Sequence, residues 1–308
     1  MTGPRVVSLL PSATELLCAV GASDLLVGRS HECDWPPSIA DRPVLTAQRT
    51  HGGSSAEIDA EVRASLAEGA SLYTLDVERL AALAPDVILT QDLCDVCSID
   101  LNTVRAVAAR LPTRPTIVSL NPKGIFEVFD DVLTVGAAVG RDRDAEAAMV
   151  ALRNRYWQAV DYVNPYVPGP EVLFLEWMDP PFVGGHWTPQ LLENAGGRHS
   201  LNPPLAKSRQ AAPEEILEAM PERVVICPCG FDLARIRAEL PALRATRWWP
   251  LLPAVLSGSP GSVVMVDGNQ MFNRPGPRLV DAFEWLVGWL NDRPSLIPPG
   301  FPVEALSS

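Results

Sequence analysis

The sequence predicts an α/β protein made of two Rossmann-like lobes with parallel-rich sheets, joined by a helical connector. Three observations lead there. The chain has 308 residues, more than most single hydrophobic cores organise, so length alone suggests about two domains. One order of elements, a strand then helices then a second strand, occurs twice. The stretch between the two copies carries only helical periodicity. These features place a first α/β lobe at 1–121, the connector at 122–166 and a second lobe at 167–308.

The first copy opens at Val6–Leu10, an apolar run of strand length. Ser12 and Glu15 follow at the spacing of a capping box, which predicts a helix that starts just after Ser12 and ends near Gly21. Asp76 is placed to cap a short helix over Val77 to Ala84, and Pro85-Asp86 turns into Val87–Thr90, a run continuous enough for a buried parallel strand. In the connector, Ile125, Phe126, Phe129, Val132 and Leu133 recur at helical spacing, as do Met149, Leu152, Tyr156 and Val160. A break falls near Gly140-Arg141-Asp142. The second copy starts with a strand over Val172–Glu176. Thr188-Pro189 then predicts an N-cap with proline at the first helical position, and Gly196-Gly197 stops that helix. Pro213-Glu214-Glu215 opens another helix through Met220, and Val224–Ile226, Ser262–Val266 and a helix from Pro277 to Leu290 complete the lobe.

Composition narrows the function. The formal net charge is −12 and only two lysines occur, Lys123 and Lys207, which excludes a nucleic-acid surface and a polybasic membrane anchor. No apolar run approaches membrane-spanning length, so no membrane insertion is expected. Arg5 is followed at once by a run that reads as a core strand rather than a secretory leader, which predicts a cytoplasmic location. Cysteines in a reducing compartment are more often thiols or metal ligands than disulfides.

Ligands of parallel α/β sheets sit beyond the carboxyl ends of the strands. The candidate contacts there are Ser12 after the first strand, His31, Glu32 and Trp35 after Leu26–Gly28, and Gln91 and Asp92 after Val87–Thr90. In the second lobe they are Trp177, Phe182, His186 and Trp187, then Phe231, then Asn273 and Arg274. Lobes that face each other would bring these side chains to one interlobe cleft. Cys94 and Cys97 form C-x-x-C and Cys227 and Cys229 form C-x-C, with Cys33 in a further loop. Thiolates in paired motifs suit zinc or an iron–sulfur cluster, and packing of small buried residues is the competing reading. His51 and His199 read as surface loop residues, and Cys18 as core. The sequence contains no G-x-S-x-G, H-E-x-x-H or P-loop pattern, so non-catalytic binding is expected.

The strings S-L-L-P-S-A-T-E-L-L, L-A-P-D-V-I-L-T and V-D-G-N…N-R-P-G-P-R-L-V-D, with S-H-E-C-D, P-P-F-V-G-G-H-W and P-C-G-F-D, resemble the class III periplasmic-binding-protein superfamily, and within it leaderless cobalamin-binding members. The resemblance implies a small-molecule metal chelate as ligand: cobalamin, a related corrinoid or another tetrapyrrole, held chiefly by aromatic faces, with His31 or His186 able to reach a metal. An ABC permease as partner would require an export signal, and none is read at the start. The alternative is a cytoplasmic metalloprotein or enzyme built on the cysteines.

Overall fold

β-Branched residues buried on both faces build the first sheet. In the computed structural model, which describes residues 3–50, 52–68, 71–92 and 99–306, β1 (Val6–Ser8) is fully buried and lies between two parallel neighbours, β2 (Leu26–Arg29) and β5 (Val87–Thr90). Ahead of β5 come β3 (Thr46–Gln48) and β4 (Tyr73–Leu75), which pair antiparallel as a separate two-stranded sheet. β6 (Thr116–Ser119) adds to β5 in parallel, giving the order β2-β1-β5-β6. A sheet covered on both faces needs near-continuous apolar strands, and all four residues of β5 are buried.

The helices start close to where the sequence puts them, with two corrections. α1 (Pro11–Ala19) begins at Pro11, with Leu10 as the capping residue and no side-chain cap, so Ser12 lies inside the first turn. Proline at the first helical position has its φ already set and no N–H to satisfy, so it fixes the start ahead of a serine cap. After α2 (Ser55–Ala67), α3 (Val77–Leu83) is capped as expected: the Asp76 carboxylate accepts from the Arg79 N–H at 2.9 Å. α4 (Leu101–Ala108) is capped by Asp100 in the same way at 2.8 Å. Between β6 and β7 stand only helices, α5 (Ile125–Val139) and α6 (Asp142–Val160). On α5 the buried stripe is Ile125, Val128, Phe129, Val132 and Val135, while Phe126 is exposed.

The chain divides into two units. One comprises Met1–Gly53, Glu57–Pro122 and Phe126–Leu152, the other Ser54–Ala56, Lys123–Ile125 and Arg153–Ser308. The second unit is built on β7 (Val172–Met178), β8 (Pro181–Val183), β9 (Arg209–Gln210), β10 (Arg223–Ile226), β11 (Val263–Val266) and β12 (Val303–Ala305). Its order is β12-β11-β10-β7-β8-β9, with β7, β10 and β11 parallel and the outer strands antiparallel. The helices are α7 (Trp187–Asn194), α8 (Pro213–Glu218), α9 (Leu233–Arg244), α10 (Pro253–Leu256) and α11 (Leu279–Leu290). α7 starts at Trp187 with His186 as its cap, not at the Thr188-Pro189 pair, because the Thr188 N–H already reaches the Gly185 carbonyl at 2.9 Å. α11 is almost wholly buried. Phe283 stacks on Tyr156 of α6 at 4.2 Å, and the Arg155 guanidinium donates to Asp281 at 2.5 Å and to Glu284 at 2.6 and 2.9 Å. Trp285 stacks on Trp289 at 5.3 Å and on Phe301 at 5.1 Å. Among the described residues no helix is long and apolar enough to cross a membrane.

One acid on α5 sets a stability dependence. Burial, then the neighbouring carboxylates of Asp130 and Glu127, push the Asp131 carboxyl up to about 7, and its Oδ2 is buried without a hydrogen-bond partner. A carboxyl raised in the folded state keeps its proton while the unfolded chain has lost it, so stability falls as pH climbs from about 4 to about 7. Asp131→Asn removes this dependence. Thermal melts are expected to show the variant more stable than the parent by about 1–2 kcal/mol at about pH 8, allowing for solvent screening, with the gap closing towards about pH 4.

Candidate functional site

Polar and aromatic side chains collect beyond the carboxyl ends of the strands, and each unit has its own set. In the first unit β2 leads into Ser30–Trp35. Arg29 ties this loop down: its guanidinium donates to the carbonyls of Cys33 at 2.8 Å, Ala40 at 2.9 Å and Ser30 at 3.3 Å. His31 is held from β3. The Thr46 hydroxyl accepts the His31 backbone N–H at 3.1 Å, stands 2.7 Å from His31 Nδ1 and donates to Ser30 Oγ at 2.9 Å. When the Thr46 hydroxyl gives its proton to Ser30 it can only accept from Nδ1, an arrangement that suits the Nδ1–H tautomer and leaves Nε2 as the bare nitrogen. Nε2 is buried with no hydrogen-bond partner. Burial holds the imidazole below its ordinary 6.5. Tyr73 donates its hydroxyl to Glu32 at 3.2 Å and leans on the His31 ring at 5.8 Å. Trp35 is 44% exposed, whereas Ser12 is buried under the start of α1. Gln91 is buried at the end of β5; Asp92 is exposed, and its N–H donates to Asn121 Oδ1 at 2.5 Å.

In the second unit the backbone itself is clamped. His186 adopts φ 53°, ψ −115°, a conformation that costs a residue with a Cβ about 1–3 kcal/mol. Two backbone hydrogen bonds hold it, His186 N–H to Ala206 at 2.5 Å and Leu205 N–H to His186 at 2.9 Å. A Cβ on Gly185 would lie 2.2 Å from the Ser208 nitrogen, so only glycine fits this crossing. A Cβ on Gly268 would meet the Pro228 carbonyl oxygen at 2.0 Å, which packs the loop after β11 against the loop after β10. The His186 ring stacks on Trp187 at 5.5 Å and is held below the usual 6.5 by burial and by Lys207.

Several expected contacts turn out to be interior. Trp187 is buried and gives its indole N–H to the Phe272 carbonyl at 2.6 Å. Phe231 is buried between Trp177, at 5.0 Å, and the Arg235 guanidinium, 4.0 Å from its ring centroid. The Trp177 indole donates to the Asp179 carbonyl at 3.1 Å, and Phe182 is half-buried on β8. Asn273 donates to the carbonyls of Gly268 at 2.9 Å and Cys227 at 3.2 Å. Arg274 is buried and donates to Asn269 Oδ1 at 3.1 Å.

Among the described residues Cys33, Cys227 and Cys229 are not gathered with other ligands as a metal centre. Cys94, Cys97 and His51 lie outside the described residues. Among the described residues no three His, Cys, Asp or Glu side chains come together as a metal ion would require. Cys33 is buried with the Thr14 hydroxyl 3.1 Å from its sulfur. Cys227 is fully buried, and burial, followed by Glu176, Cys229 and Asp267, pushes its thiol well up. Cys18 is half-buried rather than core, its thiol pushed up to about 11 by burial and by Glu15. His199 is a further correction: it is 4% exposed, with Nδ1 2.8 Å from the Val172 carbonyl, because the chain after α7 folds back along β7.

Thr46, Ser30 and Glu176 escaped the sequence reading. Thr46 reaches His31 through a bridge between Arg29 and Val44 that no local pattern announces. Glu176 did carry a signal, a carboxyl inside the apolar run of β7. Burial raises its pKa while Ser208 donates to it at 2.7 Å and the Gly185 N–H at 3.3 Å.

Comparison with known proteins fits this geometry. The model of the periplasmic binding protein family matches residues 6–259. A vitamin B12-binding protein of Vibrio cholerae serotype O1 is 22% identical over 290 residues, covering 93% of this chain and 88% of that protein. A periplasmic heme-binding protein from Pseudomonas aeruginosa superposes with a TM-score of 0.73 at 20% identity, covering 100% of this chain and 99% of that one. An ABC transporter substrate-binding protein from Listeria monocytogenes superposes with a TM-score of 0.68 at 17% identity, covering 94% and 100%. Both structures show the shared fold. The family match and these relatives overturn the cytoplasmic location and point to the periplasm. The first residues do form a core strand, but a core strand carries no information about compartment.

The tautomer is directly measurable. Nitrogen-15 NMR of the imidazoles is expected to show His31 as the Nδ1–H form, titrating below the ordinary 6.5. In Thr46→Val the two tautomers should mix and the midpoint should shift; a parent protein that already mixes them would contradict the arrangement.

Proposed function

The chain belongs to the periplasmic binding protein family, and from that membership we propose that it binds a corrinoid or a related metal chelate and hands it to an ABC importer. What carries the reading is the extent of the match: the vitamin B12-binding relative aligns over 93% of the chain and 88% of its own length. Heme-binding and ABC-type proteins share the fold. Binding a large flat chelate requires apolar faces with a few placed polar groups and no reacting residue. Trp35, Phe182, Gln91, Asn273 and the two neutral imidazoles of His31 and His186 supply that chemistry. Ser12, Glu32, Asp92, Trp177 and Arg274 act around them, by hydrogen bonding or by holding the loops. Zinc and iron–sulfur chemistry finds no gathered ligand set among the described residues.

Trp35 offers the cleanest test, because its ring is exposed and its removal leaves the core intact. Titration of the purified protein with aquocobalamin, followed by absorbance and tryptophan fluorescence, is expected to give saturable one-to-one binding. Trp35→Ala should weaken it about tenfold while the circular dichroism spectrum stays unchanged. If neither cobalamin, cobinamide nor hemin binds, the reading fails.

A further inference from the structure

We propose that Cys227 and Cys229 form a reversible disulfide, a thiol–disulfide site in the loop after β10 whose closing loosens the loop after β11. This chemistry is independent of chelate binding, which needs no thiol.

The two cysteines flank Pro228 where the chain leaves β10. The Cys227 N–H donates to the Leu175 carbonyl at 2.9 Å, which continues the ladder with β7, but the Cys229 N–H donates to the Glu176 carbonyl at 3.1 Å rather than reaching Trp177. Two residues of the loop therefore stand against one residue of β7. A fully extended chain holds residues two apart at about 7 Å, beyond the Cα separation of about 4.4–6.8 Å that a disulfide spans. The contraction at Pro228 draws the pair towards that range. The thiols also sense each other, because Cys229 is among the groups that raise Cys227, after burial and Glu176. Both cysteines are unpaired as thiols, Cys227 fully buried and Cys229 half-buried. The family and its relatives point to the periplasm, a compartment in which disulfides form and persist.

The step balances with a small-molecule or protein disulfide as oxidant. The Cys229 thiolate, the more accessible of the two, attacks one sulfur of the oxidant and expels the other as a thiolate. The Cys227 thiol then loses its proton and attacks the Cys229 sulfur, which breaks the mixed disulfide and releases the second thiol. Two protons and two electrons leave the pair, the oxidant becomes two thiols, and a dithiol reductant reverses the sequence. Closing the ring also removes contacts. In the thiol form Cys227 donates to the Met271 carbonyl at 3.7 Å, and Asn273 Nδ2 lies 3.8 Å from the sulfur. A sulfur turned towards Cys229 has no proton for Met271 and moves off Asn273, so the segment from Met271 to Asn273 loses part of its hold.

The full-length protein is treated with oxidised glutathione, alkylated and digested, and the peptide carrying both cysteines is weighed. It is expected to be lighter by two hydrogen atoms and unalkylated, and to regain two alkyl groups after reduction by dithiothreitol. Glutathione on Cys229 should appear first, and its conversion to the ring should quicken about tenfold per pH unit from about 7 to about 8.5, since the buried Cys227 thiol must ionise. Cys227→Ser should retain glutathione on Cys229, and Cys229→Ser should leave Cys227 alkylable only on unfolding. Hydrogen exchange over residues 267–274 is expected to rise several-fold on oxidation of the parent. Two thiols still open to alkylation, or a bridge from either cysteine to Cys94 or Cys97, overturns the site; exchange that stays unchanged once the ring has closed overturns the loosening. Chelate titration is not needed for any of these outcomes.

Discussion

A parallel sheet covered on both faces has nowhere to put a polar side chain except at the ends of its strands. That constraint organises this molecule. In β1, β5, β10 and β11 the strand residues are buried almost without exception, and polar chemistry is pushed to Ser30–Trp35, Gln91-Asp92, Cys227–Phe231 and Asp267–Arg274. The one carboxyl that intrudes, Glu176 near the end of β7, is met at once by Ser208 and the Gly185 N–H. Polar side chains collect at the strand ends because the sheet interior has little room for them.

Holding those ends still requires a second layer of bonds, most of them to backbone. Arg29 closes one loop through three carbonyls, Thr46 sets the orientation of His31, and the approaches at Gly185 and Gly268 leave no room for a Cβ. Side chains ordered before a ligand arrives lose less freedom on binding it. The strained backbone of His186 belongs to the same economy of motion: the neighbouring chain at Leu205 and Ala206 keeps it in place.

The strands were readable because their apolar runs are continuous and β-branched, and the helices because Asp76, Pro213 and the Gly196-Gly197 pair speak locally. What escaped was set by the tertiary structure. β3, β8, β9 and β12 are two or three residues long and exist only through their partners. The buried place of His199 depends on a carbonyl 27 residues away. Trp187 and Phe231 look like recognition faces from their position after strands, yet each is enclosed, by Phe272 in one case and by Trp177 and Arg235 in the other. Sequence locates a strand end; it does not say which of the aromatic residues gathered there turns inward.

β12 adds a practical geometry. It runs antiparallel to β11, pairing Val303 with Val266 and Ala305 with Val264, and the Leu306 N–H then reaches Val263. The chain therefore leaves this sheet at the amino ends of the parallel strands, the edge opposite the loops that carry Phe231, Asn273 and Arg274. A dye, an affinity handle or a surface tether joined there would stand a full strand length from those loops. The second unit thus offers an attachment point at the end of its sheet opposite those loops.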